Sequence, residues 1–209
     1  ICPCDTIKNL IAKTDKKNNQ LGLSLWMHLA DTAGVMEKLI QEWLSDAIFN
    51  AAGLNRDLFT KIAVFTAGIH DIGKATSYFQ SVITKSLPEQ RERLLYSGFS
   101  ICDNYLHQGK TPHAWAGQWI LQHKVGKKST GNMKPKGFIN IVGAHHGKPV
   151  SAFAINTDLD LLKTDPANFY GPQPEQNEKM VWEYCWEQII KEGLAMSGFP
   201  SMEDIPDIT

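Results

Sequence analysis

The uncharged stretch Ile62-Ala63-Val64-Phe65-Thr66-Ala67-Gly68-Ile69 runs directly into His70-Asp71-Ile72-Gly73-Lys74. Core-like sequence that delivers an imidazole and a carboxylate at once is a strong constraint, because both groups are desolvated there and need partners. Two arrangements satisfy them: a helix end at which His70 and Asp71 are hydrogen-bonded, or a divalent metal that accepts both. Either one requires the segment to be a buried helix ending at a polar site.

The rest of the chain has the periodicity of a helical protein. Asp5 is placed to cap a short helix over residues 5–13, and Asp15 to Gln20 reads as an exposed loop. From Ser24 to Leu44, the residues Leu29, Ala33, Met36, Ile40 and Trp43 form one apolar stripe, with His28 at its edge. The next helix spans Arg56 to Ile72 with Leu58, Ile62, Phe65 and Ile69 inward, and Gly73 is expected to end it in the left-handed conformation. Further helices are expected over Ala75–Ile83 and Pro88–Tyr96, and from Thr111-Pro112-His113, where Thr caps and Pro takes the first position. Phe138 to Ala144 suits a strand by residue type, but Gly147 follows like a helix cap, and helix is the reading adopted. A long helix over Glu175–Ala195 carries Trp182, Cys185, Trp186 and Ile189 on one face. The expected fold class is all-α, a helical bundle over residues 1–197, with 198–209 as a tail or linker.

A chain of 209 residues, 43% hydrophobic, can bury one real core. Its four cysteines, Cys2, Cys4, Cys102 and Cys185, are too scattered for a disulfide framework, which points to a reducing, cytoplasmic setting. No apolar run approaches the ~20 residues that cross a bilayer, and no basic-then-apolar leader opens the chain. The first residue, Ile1 rather than Met, suggests an excised piece. The net charge of -1 leaves any attraction for nucleic acid to a local patch or a bound metal.

Seven histidines are present, and five of them, His28, His70, His113, His145 and His146, lie in or at the end of apolar helical segments. Each alone reads as a buried, hydrogen-bonded histidine. Together with Asp71 they read as a metal centre, since five imidazoles in one small bundle would otherwise need five separate partners. Imidazole and carboxylate without thiolate suit Mn, Fe, Co, Ni or Zn, and Mg is also possible. Six ligand residues exceed what one tetrahedral ion uses, which suggests two ions bridged by Asp71, the arrangement that serves phosphoester hydrolysis. Lys74 would neutralise charge on phosphate oxygens or stand as a solvated helix-terminal lysine. Asp31 would orient His28 or lie on the surface. From Lys124 to Lys148 there are lysines and no acid. Lys127, Lys128, Lys134 and Lys136 there are candidate contacts for a nucleic-acid backbone, beside the plainer reading of a solvated loop.

The strings Leu25-Trp26-x-His28-Leu29-x-Asp31-Thr32-Ala33, His70-Asp71-Ile72-Gly73-Lys74 with Phe79-Gln80, His113-Ala114-x-Ala116-Gly117 and His145-His146-Gly147 occur in this order. Their order and content resemble the HD superfamily of metal-dependent phosphohydrolases, and more narrowly the HD nuclease domain of the type I CRISPR interference nuclease-helicase. The resemblance implies an all-α HD-domain bundle that cuts single-stranded DNA with divalent transition metals, alongside a helicase portion and a crRNA-guided surveillance complex. It also implies one ion held by His28, His70 and Asp71, and a second held by Asp71, His113, His145 and His146, with Asp71 and Lys74 as the catalytic pair. Such domains supply a late aspartate from an Ala-Asp-Trp helix. No such string occurs here, so the expectation is a domain lacking its last helices and its helicase portion, with the first metal site incomplete. The alternatives are a nucleotide or cyclic-nucleotide phosphohydrolase of the same superfamily and a docking module with a degenerate site.

Overall fold

A computed structural model of the chain describes residues 7–15, 20–101, 111–126, 137–147, 166–172 and 175–207. Two strands, β1 (Ile11–Asp15) and β2 (Gln20–Ser24), form an antiparallel ribbon with irregular register. They lead into α1 (Leu25–Glu42), α2 (Asp46–Ala51) and α3 (Arg56–Ile69), after which a 3-10 turn spans Ile72–Lys74. Next come α4 (Ser77–Ile83), α5 (Pro88–Tyr96), α6 (His113–Gly126), α7 (Gly137–Ala144), α8 (Ala167–Tyr170) and α9 (Gln176–Ser197). Among the described residues the ribbon is the only sheet, and the fold is an all-α bundle. None of its helices is long and apolar enough to cross a membrane.

Local chemistry accounts for most helix starts. Ser24 Oγ accepts from Met27 N, Asn55 Oδ1 accepts from Leu58 N, and Glu175 and Glu178 form a capping box at the head of α9. The apolar faces of α1, α3 and α9 pack on one another around Leu29, Phe65, Ile69, Trp186 and Ile189. Trp182 and Trp186 are fully buried, and the Trp186 indole donates to Ala75 O at 2.6 Å. Each such ring replaced by alanine costs about 3–5 kcal/mol.

Four expectations need correction. The helix over residues 5–13 gives way to β1, because Gln80 takes both polar groups of the Ile11 backbone. Ile11 N donates to Gln80 Oε1 at 3.0 Å, and Gln80 Nε2 donates to Ile11 O at 2.9 Å. Trp43 is 80% exposed rather than inward, since α1 ends at Glu42 and its stripe is covered only as far as Ile40. Helix α3 stops at Ile69, and Gly73 does not adopt the left-handed conformation. Gly73 is needed for close approach instead: a Cβ there would collide with the His113 carbonyl oxygen and lie 2.5 Å from Gly117 N. Finally, the segment expected as a tail contributes Phe199 and Ile205 to the core, after Gly198 closes α9 in the left-handed conformation. By contrast, α5 runs from Pro88 to Tyr96 as expected, residues 137–144 are helical, and Gly147 has φ 78°. Residues 16–19, Cys2, Cys4, Cys102, His107 and most of the stretch from Asn156 to Pro174 lie outside the described residues.

Candidate metal centre

Four elements converge on Asp71, which is 3% exposed. His28 comes from the first turn of α1, His70 and Asp71 from the end of α3, and His113 from the start of α6. His145 and His146 follow α7. The turn holding Asp71 is fixed from below by Gln80, whose amide also donates to Lys74 O at 2.9 Å.

The two carboxylate oxygens of Asp71 have different surroundings. Around Oδ2 lie His28 Nε2 at 2.8 Å, Lys74 Nζ at 2.7 Å and His70 Nε2 at 3.3 Å. Around Oδ1 lie His113 Nε2 at 3.2 Å and His145 Nε2 at 3.3 Å. His146 Nε2 is 2.8 Å from His113 Nε2. The ligand atoms fall into two groups, His28, His70 and Asp71 in one and His113, His145 and His146 in the other, each with its atoms within 4.8 Å of one another.

Two of the rings are oriented by the same device. His70 Nδ1 donates to Ala67 O at 2.8 Å, and His145 Nδ1 donates to Val142 O at 2.7 Å. A neutral imidazole that donates from Nδ1 presents only a lone pair at Nε2, so each of these rings aims an acceptor at the Asp71 carboxylate. Asp71 Oδ1 and His145 Nε2 are both buried with no hydrogen-bond partner. Two acceptors facing each other at this distance are stable only with a cation or a proton between them, and the donor set, imidazole plus carboxylate, suits a divalent metal.

The electrostatics follow from this packing. Burial opposes the charge on Asp71, but the contacts from His113, His145 and His70 outweigh it and hold the carboxyl far below the usual carboxylate range. For His28, burial outweighs the attraction of Asp71 and lowers the pKa. For His145, burial works in the same direction, but Asp71 and the Val142 carbonyl prevail and raise it. His146 is lowered by burial and by the neighbouring His145 and His113.

All six proposed metal ligands and Lys74 are thus brought together. Asp31 is exposed, and the carboxylate partner of His28 is Asp71. Lys124, the first of the basic stretch, is engaged by Glu183 at 3.2 Å and Glu187 at 2.8 Å. Lys127, Lys128, Lys134 and Lys136 lie outside the described residues. His123 stacks on Trp119 toward the other end of α6 from His113. Sequence reasoning missed two buried amides, Gln80 and Gln118, because a glutamine in a helix carries no signal of what its amide will reach.

Comparison with known proteins agrees with this geometry. The family model described as "Cas3, HD domain" matches residues 12–198. The "CRISPR-associated nuclease/helicase Cas3" of Streptococcus thermophilus is 30% identical over 217 residues, covering 94% of this chain and 22% of the relative. The chain thus spans about a fifth of that relative's length. A solved structure titled "Crystal structure of CRISPR-associated protein" superposes with a TM-score of 0.67 at 22% identity, over 93% of this chain and 20% of the other, a likeness of fold. On the family match and the shared sequence, the chain belongs to the Cas3 HD-domain family.

Proposed function

We propose that the chain is the HD domain of a CRISPR-associated nuclease, a metal-dependent hydrolase that cuts phosphodiester bonds of single-stranded DNA at a dinuclear site. The observation that carries the reading is the buried carboxylate of Asp71, which has a separate cluster of nitrogen ligands on each of its oxygens. His28, His70 and Asp71 would hold one divalent ion, and Asp71, His113, His145 and His146 the other. When bound, a pair of such ions activates water and neutralises charge on the leaving oxygen. Mn, Fe, Co and Ni fit the ligand set best, with Mg or Zn as further occupants.

The chain's own residues have complementary roles. The carbonyls of Ala67 and Val142 keep the lone pairs of His70 and His145 turned inward, so the rings need no rearrangement to ligate. Asp71 stays ionised and bridges the two clusters. Lys74 is held at 14% side-chain exposure beside Asp71 Oδ2, with Phe79 under its ammonium at 5.6 Å. From there it can turn toward a phosphate oxygen and offset its charge. Lys127, Lys128, Lys134 and Lys136 would contact the DNA backbone.

The relative's name and its greater length support a helicase portion as partner, and a crRNA-guided surveillance complex would deliver the single-stranded substrate. The test is cleavage of circular single-stranded DNA with manganese or nickel, alongside ion counting by titration. Two bound ions with metal-dependent cleavage are expected. Release of inorganic phosphate or nucleoside from small nucleotides, with DNA left intact, would reassign the site to nucleotide hydrolysis. An unchanged melting temperature on adding metal would make the chain a docking module.

A further inference from the structure

Two of the four elements that supply the cluster meet across a small, tight junction. His113 opens α6, and His145 and His146 follow α7, so the relative position of these two helices sets the distance between the nitrogens that would share the second ion. Between the helices lies the side chain of Gln118. Gln118 is 2% exposed on α6, and its amide reaches α7, where Nε2 lies 3.4 Å from Asn140 Oδ1. On α7 it lies against Gly143, where an added Cβ would collide with Gln118 Oε1 and come within 2.7 Å of its Cδ and 3.2 Å of its Cβ. One residue earlier on each helix, a Cβ on Gly117 would come within 3.3 Å of Val142 Cγ1. Val142 also supplies the carbonyl that orients His145. The junction therefore grips α7 at Val142 and Gly143, immediately before the two histidines.

We propose that Gln118 is a positioning residue: its side chain, seated on Gly143, spaces α6 from α7 and thereby sets His145 and His146 relative to His113. The inference rests on the dinuclear reading for its consequence, but the spacing itself belongs to the metal-free chain. α1 and α3, which carry the other trio, meet at Gly68, where an added Cβ would lie 3.7 Å from Ala33 Cβ. Gln118 therefore acts most directly on the His113, His145 and His146 cluster. Gln118 acts through the α7 backbone at Gly143.

A double-mutant cycle on the 209-residue chain tests this. Gln118→Ala removes the spacer and Gly143→Ala overfills it, so each should weaken the manganese ion held by His113, His145 and His146 in calorimetry by about 10–100-fold, the range typical of outer-shell changes, while the ion held by His28 and His70 is unaffected. The combination should recover much of that loss, because the new methyl occupies the volume the amide leaves. In the metal-free chain, imidazole NMR shifts of His113, His145 and His146 should move in the single variants and those of His28 and His70 should not. Unchanged affinity with a lowered melting temperature would assign Gln118 to packing alone and overturn the proposal, as would independent, additive effects. Should the wild type bind fewer than two ions, the dinuclear reading fails by itself, and the NMR pattern still decides whether Gln118 sets the spacing. If Gly143→Ala does not fold, Gln118→Ala against Gln118→Met supplies the comparison, with the longer side chain expected to keep the ion.

Discussion

The two halves of the cluster share Asp71 but are not equivalent. On the Oδ2 side, His28 donates at 2.8 Å and the Lys74 ammonium lies at 2.7 Å, so the carboxylate oxygen already has cationic and hydrogen-bonded company. On the Oδ1 side the oxygen has no hydrogen-bond partner and faces the lone pair of a ring fixed by Val142. The first half is stable as it stands, whereas the second is stable only with something positive inside it. A buried unpaired acceptor costs about 1–3 kcal/mol, so the ion that removes this penalty gains that much at the second half. The first half must instead displace Lys74. Order of filling is the consequence: His113, His145 and His146 should take an ion before His28 and His70 do.

The largest effect comes from removing what the halves share. Asp71→Asn should abolish both ions in a manganese titration and lower DNA cleavage by about 10³-fold or more, on the scale of losing a central electrostatic group. Retention of one tight ion in this variant would mean that the halves are independent. Next in size are the single histidines. His146→Ala should remove the first-filling ion and His28→Ala the second, which the number of sites and their order in calorimetry would reveal. Because His146 is exposed, its replacement should change metal-free stability by no more than about 0.5 kcal/mol. Lys74→Met reverses the asymmetry: with no ammonium on Oδ2, the first half should bind manganese more tightly, while kcat for DNA cleavage falls about 10²-fold if the amine serves the phosphate. Tighter binding with undiminished kcat would leave Lys74 only a space-holding role.

The sequence made one part of this asymmetry visible. All six candidate ligands could be named because each lies in or at the end of an apolar helical run, and polar groups in such places must meet a partner. The difference between the two oxygens could not be read, since it depends on which carbonyl lies within reach of each Nδ1, a matter of helix ends. His70 and His145 each reach back three residues along their own chain, to Ala67 and Val142. His28 has no such end nearby. Gly73 shows the same limit. Its position after a helix suggested a left-handed cap, yet the requirement comes from α6, forty residues away in sequence, whose first carbonyl would collide with any side chain there. The expected helix over residues 5–13 gives way to the Ile11 strand for an equally distant reason, the Gln80 amide. Local periodicity identified the helices, and long-range polar contacts decided where they stop.

The smallest predicted effect is a pH dependence that should belong mainly to one half. In the folded metal-free chain His145 titrates above its ordinary value of about 6.5, because Asp71 and the Val142 carbonyl outweigh burial. A histidine raised on folding stabilises the native state fully below its unfolded pKa, and that contribution is lost as the pH climbs through the folded value. An ion needs the same Nε2 lone pair that the proton occupies, so binding must expel the proton. Metal-free stability should therefore decline slightly from pH 6 upward, while the rise in melting temperature caused by manganese grows over the same range. Affinity should increase by about tenfold per pH unit while His145 is still protonated, then level off. His28 is lowered instead, by burial, so an ion held by His28, His70 and Asp71 gains less from that group as the pH rises. Titrations of His28→Ala and His146→Ala between pH 6 and 8 separate the two: the slope should persist in the variant that keeps the second half and flatten in the one that keeps the first. Equal slopes in both would place the titrating proton on Asp71's shared surroundings rather than on His145, and the asymmetry of the two oxygens would lose its functional meaning.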